Sequence, residues 1–468
     1  MLGILPLFSP VSSPGDVNHA TTYKVAMLVS EATERIKEEC SLKRKLKRKA
    51  RDPSYPELGR DMAAANIVTV RSLLQFHERY INPSKNGKIL RNRRNFVTVQ
   101  AFSGTYGINY GRISDNIPPP ESVVTLLKAA KIKSIRIYDA DHSVLKAFKG
   151  SGIEIVVGLG NEYLKEMSVN EDRPLDWIKE NVQPFLPGTR IRGIAVGNEV
   201  LGTGDQELWE ALLGAVKNVY KALDRLHLTK LIQVSSPHSQ GVFATSFPPS
   251  SCTFKEDLVQ YIKPLLEFSS EIGSPFFINA YPFLAYMSDP EHIDINYALF
   301  KPNPGTLDQK TNLHYDNMFD AQIDAAYAAL EKVGFGKMEV IISETGWASN
   351  GDETEAGATV ENARTYNLNL RKRLAKKKGT PLKPKTAVKA YIFALFNENL
   401  KPGPTSERNF GLFKADGSIA YDIGFTGLKP SSAASSLLSL KDIRARGWSG
   451  PYMVLTTCVA VLLLVLTP

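Results

Sequence analysis

From residue 105 onward, short runs of β-branched and aromatic residues alternate with longer stretches of helical periodicity. The strand-like runs fall at 106–110, 134–138, 154–158, 193–197, 232–235, 276–280, 339–343 and 390–396. Between them lie amphipathic patterns. The stretch 118–130 opens with prolines and then sets Val123, Leu126, Leu127 and Ala130 on one face. The stretch 317–333 carries Phe319, Ile323, Ala326, Tyr327 and Leu330 at the same spacing, which is the signature of a helix with one buried side. Strands alternating with helices predict parallel βαβ units. Eight such units in ~325 residues predict an α/β protein of the (β/α)8 TIM-barrel class. A doubly wound open sheet is the competing architecture, but its first turn after a strand usually carries a glycine loop for phosphate. Here that segment reads YGINYGRISDN, which is not a G-x-G-x-x-G loop.

The flanks read differently and divide the chain into 1–100, a barrel at 101–429, and a tail at 430–468. The net charge of +9 belongs to the first part: residues 1–100 hold 18 Lys/Arg against 9 Asp/Glu, and the remainder holds 39 of each. The run KRKLKRKAR at 43–51 and the polar stretch 82–95 show no sustained core pattern, so the segment reads as a basic, poorly ordered leader outside the enzyme. It lacks a nucleic-acid-binding fold and interleaved aromatics, so no nucleic-acid partner is expected. In the tail, a Ser/Ala-rich stretch and a polar spacer precede the apolar run 453–466. That run is shorter than the ~20 residues of a spanning helix, and the order of segments fits a removable signal for a glycosylphosphatidylinositol anchor. The expected location is then the outer plasma-membrane face or the cell wall. The three cysteines, Cys40, Cys252 and Cys458, lie in three different segments and make no metal-ligand cluster, so neither a metal nor another cofactor is expected.

Two strands end in acid. IRGIAVGNEV at 191–200 ends on Asn198-Glu199, and MEVIISETGWASNG at 338–351 carries Ser343-Glu344. In a barrel, strand C-termini converge on one face, where catalytic groups sit. Counted along the chain these are the fourth and seventh strands, and their carboxylates can face each other. Retaining glycoside hydrolysis needs such a pair about 5–5.5 Å apart, one protonated and one ionised. A single Glu after a strand is an ordinary loop or capping charge; the paired context favours chemistry. Tyr281 directly follows a strand, where its hydroxyl can reach one of the two carboxylates. Tyr110, Tyr138 and Phe396 can stack on sugar rings or fill the core. Lys401 and Glu407 read either as a loop ion pair or, for the lysine, as a charge that keeps one of the two carboxylates ionised.

These motifs, together with GINYGRISDNIPPP, SIRIYDAD at 134–141, INAYPF at 278–283 and FALFNENLKPGPTSERNFGLF at 393–413, resemble glycoside hydrolase family 17. That family comprises the plant β-1,3-glucanases and related β-glucanases. The resemblance implies a retaining endo-hydrolase of β-1,3-glucan, with Glu199 as acid/base and Glu344 as nucleophile. It implies a supporting cluster of Glu398, Lys401 and Glu407, and places Arg136, Tyr138, Tyr281 and Trp347 near the sugar groove. Asn198 is expected to hydrogen-bond a sugar 2-hydroxyl. Ala348 stands where the family usually has proline. Transglycosylation, mixed-linkage glucan hydrolysis and non-catalytic glucan binding are the competing functions.

Overall fold

The computed structural model describes Phe102 and residues 104–428. The expectations for 1–100 and 430–468 lie outside the described residues. The strands in chain order are β1 (Tyr106–Asn109), β2 (Ser134–Arg136), β3 (Glu154–Leu159), β4 (Arg190–Val196), β5 (Gln233–Ser235) and β6 (Pro237–His238). They continue with β7 (Phe243–Thr245), β8 (Thr253–Phe254), β9 (Phe276–Asn279), β10 (Thr306–Asp308), β11 (Leu313–Tyr315), β12 (Val340–Thr345) and β13 (Ala390–Ile392). The antiparallel pairs β7/β8 and β10/β11 are separate two-stranded ribbons. The other strands are parallel and run in the order β5-β4-β3-β2-β1-β13-β12-β9-β6 in one 9-stranded sheet.

The two ends of that sheet, β5 and β6, are separated only by Ser236. They are halves of one bent stave: β5 pairs with β4, and β6 with β9. The sheet therefore closes, and eight staves form the barrel anticipated from the periodicity. Each expected strand is present, although β4 begins at Arg190 and β13 stops at Ile392.

Helices pack outside. α1 (Pro120–Ala129) starts on a proline and buries Val123, Leu126 and Leu127. α2 (His142–Ala147), α3 (Leu164–Val169) and α4 (Asp172–Asn181) follow. α5 (Gln206–Arg225) is capped by Asp205, which accepts from Leu208 N–H, and buries Ala211, Leu212, Ala215, Val216, Val219, Ala222 and Leu223. That i, i+4 recurrence is what a helix on a sheet needs. α6 (Glu256–Ile272), α7 (Pro282–Ser288) and α8 (Ile295–Ala298) lead to α9 (Met318–Lys332), capped by Asn317, and α10 (Val360–Ala375). Among the described residues no helix is long and apolar enough to cross a membrane.

The strand side chains sort into two layers. Ile155, Val157, Ile194, Val196, Ile278 and Ile342 belong to the larger core that includes the helices. Val156, Ala195, Phe277, Ile341 and Tyr391, with Phe102, form a small separate cluster inside the barrel. This is the period-two alternation of a pleated strand. Toward the strand C-termini the interior turns polar, with Asn109, Arg136, Asn279 and Ser343 all buried.

The closing stave carries a buried His238, stacked on Phe276 at 5.2 Å, with no partner for Nδ1. Burial drives its pKa down to about 4 from an ordinary 6.5. The unfolded chain therefore takes up a proton below pH 6.5 that the folded chain refuses until about pH 4. Stability that is fully present above 6.5 is lost as pH falls through this window. In thermal unfolding series from pH 7 to 4.5, His238→Phe is expected to lose less Tm on acidification than wild type; parallel slopes would contradict this role.

Candidate active site

The polar layer is assembled from strand ends. Arg136, the last residue of β2, is fully buried and spans two neighbours: Nη1 donates to Glu344 Oε1 at 2.7 Å and Nη2 to Asn198 Oδ1 at 2.7 Å. Side-chain exposures of 1% and 8% mark Arg136–Glu344 as a buried ion pair. Removing one member of such a pair typically costs about 3–5 kcal/mol, because the other is left uncompensated. The second Glu344 oxygen, Oε2, accepts from Tyr281 Oη at 2.9 Å, the contact expected for that tyrosine. Both phenols beside Glu344, Tyr138 and Tyr281, are pushed up by burial and then by the Glu344 charge, so they remain neutral.

Glu344 reaches this position through an irregularity in β12. The register of β12 slips against both β9 and β13 between Ile342 and Glu344 or Thr345. Simple alternation from Ile341 would aim Ser343 inward and Glu344 outward. The extra residue lets both meet interior partners: Ser343 bonds Asn279, and Glu344 bonds Arg136. Bulges beside active sites re-aim side chains in this way.

Glu199 is placed by a tight turn after β4. Gly197 has φ +66° and Glu199 itself has φ +52°. A Cβ on Gly197 would lie 2.7 Å from Val200 Cγ2, so glycine is required for both conformation and space. The backbone N–H of Glu199 is tied to Pro237 O at 2.9 Å, linking the turn to the closing stave. A glutamate held at positive φ is strained, which is tolerated where the surroundings over-determine it. Its side chain meets an amide rather than a cation: Asn279 Nδ2 donates to Oε1 at 2.7 Å. Burial pushes the Glu199 carboxyl above its ordinary value, and the Glu344 charge adds to this. The Asn279 hydrogen bond and the Arg136 charge oppose it, while Glu407 raises it further.

Glu199, Glu344, Asn198, Tyr110, Tyr138, Tyr281, Glu398, Lys401 and Glu407 line one cleft of about 1170 Å³. Glu398 accepts from Ile113 N–H at 2.9 Å, and burial raises its pKa against the nearby Lys401. Lys401 pairs with Glu407 at 2.9 Å and sits over the Phe393 ring at 4.2 Å. The cation bonded to Glu344 is thus Arg136, and Lys401 is occupied by Glu407. Three residues singled out in the sequence do not line the cleft: Arg136, buried against Glu344 and Asn198, and the aromatic pair Trp347 and Phe396. Trp347 is fully buried among Phe283 and Tyr366, its Nε1 donating to Gly357 O at 2.8 Å. Phe396 is buried edge-on to Tyr110. Both support the cleft wall from behind. At Ala348 the loop is tied instead by its neighbour, Ser349 N–H donating to Asn409 O at 2.9 Å.

Sequence reasoning passed over Asn279, Ser343, Asn109 and the Arg112–Asp139–Asp141 cluster at the cleft edge. A usable signal existed for Asn279: like Glu199 and Glu344, it is a polar residue ending an apolar strand. Among the described residues, no group of His, Cys, Asp or Glu side chains is placed to hold a metal ion.

The family model described as glycosyl hydrolases family 17 matches residues 106–425. Glucan endo-1,3-beta-glucosidase 14 of Arabidopsis thaliana is 51% identical over 69% of this chain and 83% of its own length. Glucan endo-1,3-beta-glucosidase 11 of the same plant is 51% identical over 70% of this chain and 78% of its own. Among solved structures, CJP38, a beta-1,3-glucanase and allergen of Cryptomeria japonica pollen, superposes with a TM-score of 0.66 at 40% identity. The match covers 69% of this chain and 99% of that one. One of two plant beta-glucan endohydrolases with distinct substrate specificities gives a TM-score of 0.61 at 36% identity, covering 66% and 96%.

The electrostatics of the cleft can be checked without activity. Glu407→Gln removes a charge that raises Glu199 and frees the Lys401 charge, and both changes favour the Glu199 carboxylate. In carboxyl-carbon NMR, the Glu199 midpoint is expected to fall by roughly a few tenths of a pH unit. A midpoint that stays or rises would contradict the arrangement.

Proposed function

The chain belongs to glycosyl hydrolase family 17, and we propose that it cleaves internal (1→3)-β-D-glucosidic bonds with retention, through a glycosyl-enzyme on Glu344. It is a glycosidase, and its relatives act on β-1,3-glucan. The observation that carries the residue roles is the contrast between two neighbouring carboxyls. Glu344 is ion-paired to Arg136 and bonded by Tyr281. Glu199 is half-buried, its carboxyl raised by desolvation, and it is faced by an uncharged amide. Environments that separate two carboxyls in this way assign base or nucleophile to one and acid to the other.

In the first step the Glu199 carboxyl gives its proton to the glycosidic oxygen as the C1–O bond breaks. Glu344 forms the C1–O bond of a glycosyl ester on the opposite face. In the second, Glu199, now a carboxylate, takes a proton from water as the water oxygen attacks C1 and Glu344 leaves. Arg136 and Tyr281 hold both Glu344 oxygens, so the carboxylate is oriented before the sugar arrives. The amide Nδ2 of Asn198, whose Oδ1 is engaged by Arg136, supports the expected contact with the sugar 2-hydroxyl. The open cleft suits a polymer entering along its length, and the half-buried Tyr138 and Tyr281 are the aromatic side chains on its walls that keep some exposure.

Glu344→Ala is expected to abolish turnover nearly completely on linear β-1,3-glucan. Glu199→Gln should lower kcat by ~10²–10⁴ where leaving-group protonation limits the rate. Reducing-end and product-size measurements check both, and wild-type-like rates in either variant would remove the assignment. Products longer than the substrate would instead support glucan transfer.

We further propose that the tail beyond residue 430 directs attachment of a lipid anchor on the outer membrane face, near a wall glucan substrate. The small-residue stretch, polar spacer and terminal apolar run of the sequence support it. Expressed in plant cells, the protein should be released by phosphatidylinositol-specific phospholipase C. Membrane-bound protein that resists this enzyme and still holds residues 453–466 would count against the anchor.

A further inference from the structure

Asn279 is buried, and its amide is engaged from both ends. Ser343 Oγ donates to Oδ1 at 2.6 Å, and Nδ2 donates to Glu199 Oε1 at 2.7 Å. A carboxamide has nearly the same shape with its oxygen and nitrogen exchanged, so packing alone does not choose between the two orientations. Hydrogen bonds choose. In the exchanged orientation Nδ2 would face Ser343 and Oδ1 would face Glu199. The serine oxygen would accept, but its own proton would lose its acceptor. Ser343 is fully buried and makes no other side-chain hydrogen bond among the described residues. A buried hydroxyl proton without an acceptor is costly, and this cost falls only on the exchanged state.

The serine is itself fixed. Asn109 Nδ2 donates to Ser343 O at 3.1 Å, and the β12 bulge sets Ser343 and Glu344 toward the interior in succession. We propose that Ser343 is a positioning residue for catalysis: its hydroxyl orients the Asn279 amide so that Glu199 meets a hydrogen-bond donor and not an acceptor.

The chemical consequence rests on the reading of Glu199 as acid/base. A donor favours the carboxylate, whereas an acceptor would favour the protonated acid. Burial and Glu344 already push Glu199 toward the acid form. The oriented amide pulls back, so the same group can give a proton in the first step and take one in the second. The charged and titratable groups facing Glu199 are Glu344 on β12, Arg136 on β2, Tyr281 after β9, and Glu407 with its partner Lys401 beyond β13. None of them bonds the Ser343 hydroxyl, so its removal acts on the amide.

The test is the pH profile of kcat/KM on a soluble linear β-1,3-gluco-oligosaccharide for wild type, Ser343→Ala, Ser343→Thr, Asn279→Ala and the Ser343→Ala/Asn279→Ala double variant. Without the serine hydroxyl the amide reverses when Glu199 is protonated. The basic limb of Ser343→Ala should then rise by about 0.5–1 pH unit. Ser343→Thr, which keeps the hydroxyl, should restore it. In the Asn279→Ala background the serine change should add no shift, because the relay is already gone. A pH-independent loss in Ser343→Ala with an unmoved basic limb would overturn the proposal, as would the same shift persisting without Asn279. If Ser343→Ala does not fold, Ser343→Cys, a much weaker donor of similar size, reads the same limb. Failure of the acid/base reading shows itself separately: Glu199→Gln would then keep the wild-type basic limb, and both readings would fall together.

Discussion

The buried pair of Arg136 and Glu344 is the constraint around which the site is arranged. A carboxylate and a guanidinium without solvent must find each other and fill their remaining hydrogen bonds, or the barrel interior is destabilised. Arg136 answers Glu344 with one nitrogen and Asn198 with the other. Tyr281 takes the second Glu344 oxygen. Three strand ends, from β2, β4 and β12, and the residue two past β9 are thereby locked to one another. The pair is as much a fastening of the barrel mouth as a piece of chemistry.

The backbone departs from regularity where this fastening requires it. β12 carries a bulge beside Glu344, and the turn after β4 holds Glu199 at φ +52°. A regular strand presents every second residue to the interior, which suits the apolar layer of Val156, Ala195, Phe277, Ile341 and Tyr391. It cannot present two successive residues, Ser343 and Glu344, to the same side. The bulge and the turn both lie at the catalytic end; a further register shift, between β3 and β4 at Ile155/Val156, lies toward the opposite end. Such local strain is sustained because the surrounding hydrogen bonds leave no cheaper arrangement.

The polar layer also divides the labour between two similar side chains. Glu344 receives a full positive charge and a phenol. Glu199 receives only an amide, and lies within the field of Glu344 and Glu407. Lys401, which by sequence alone stood as a possible partner for the nucleophile, is taken by Glu407 at the partly exposed rim. A pair of that kind contributes about 0–1 kcal/mol. Its effect is on the potential felt by Glu199 more than on the fold.

Much of this was legible in the linear sequence. Parallel βαβ rhythm follows from hydrophobic periodicity, which is a local property, and it was enough to reach an eight-stave barrel. The positions of Glu199 and Glu344 at strand ends follow from that rhythm, because a polar residue ending an apolar strand must emerge at the barrel mouth. What the linear order could not decide was partnership. Arg136 lies 208 positions from Glu344, and Asn279 lies 80 from Glu199. Trp347 and Phe396 sit beside catalytic motifs in sequence yet behind the cleft wall in space. Whether a polar residue meets solvent, a cation or an amide depends on which strands become neighbours when the sheet closes. Which way two successive residues point depends on a bulge defined by the register of adjacent strands. Both are relations between distant segments, so they came into existence only with the tertiary structure.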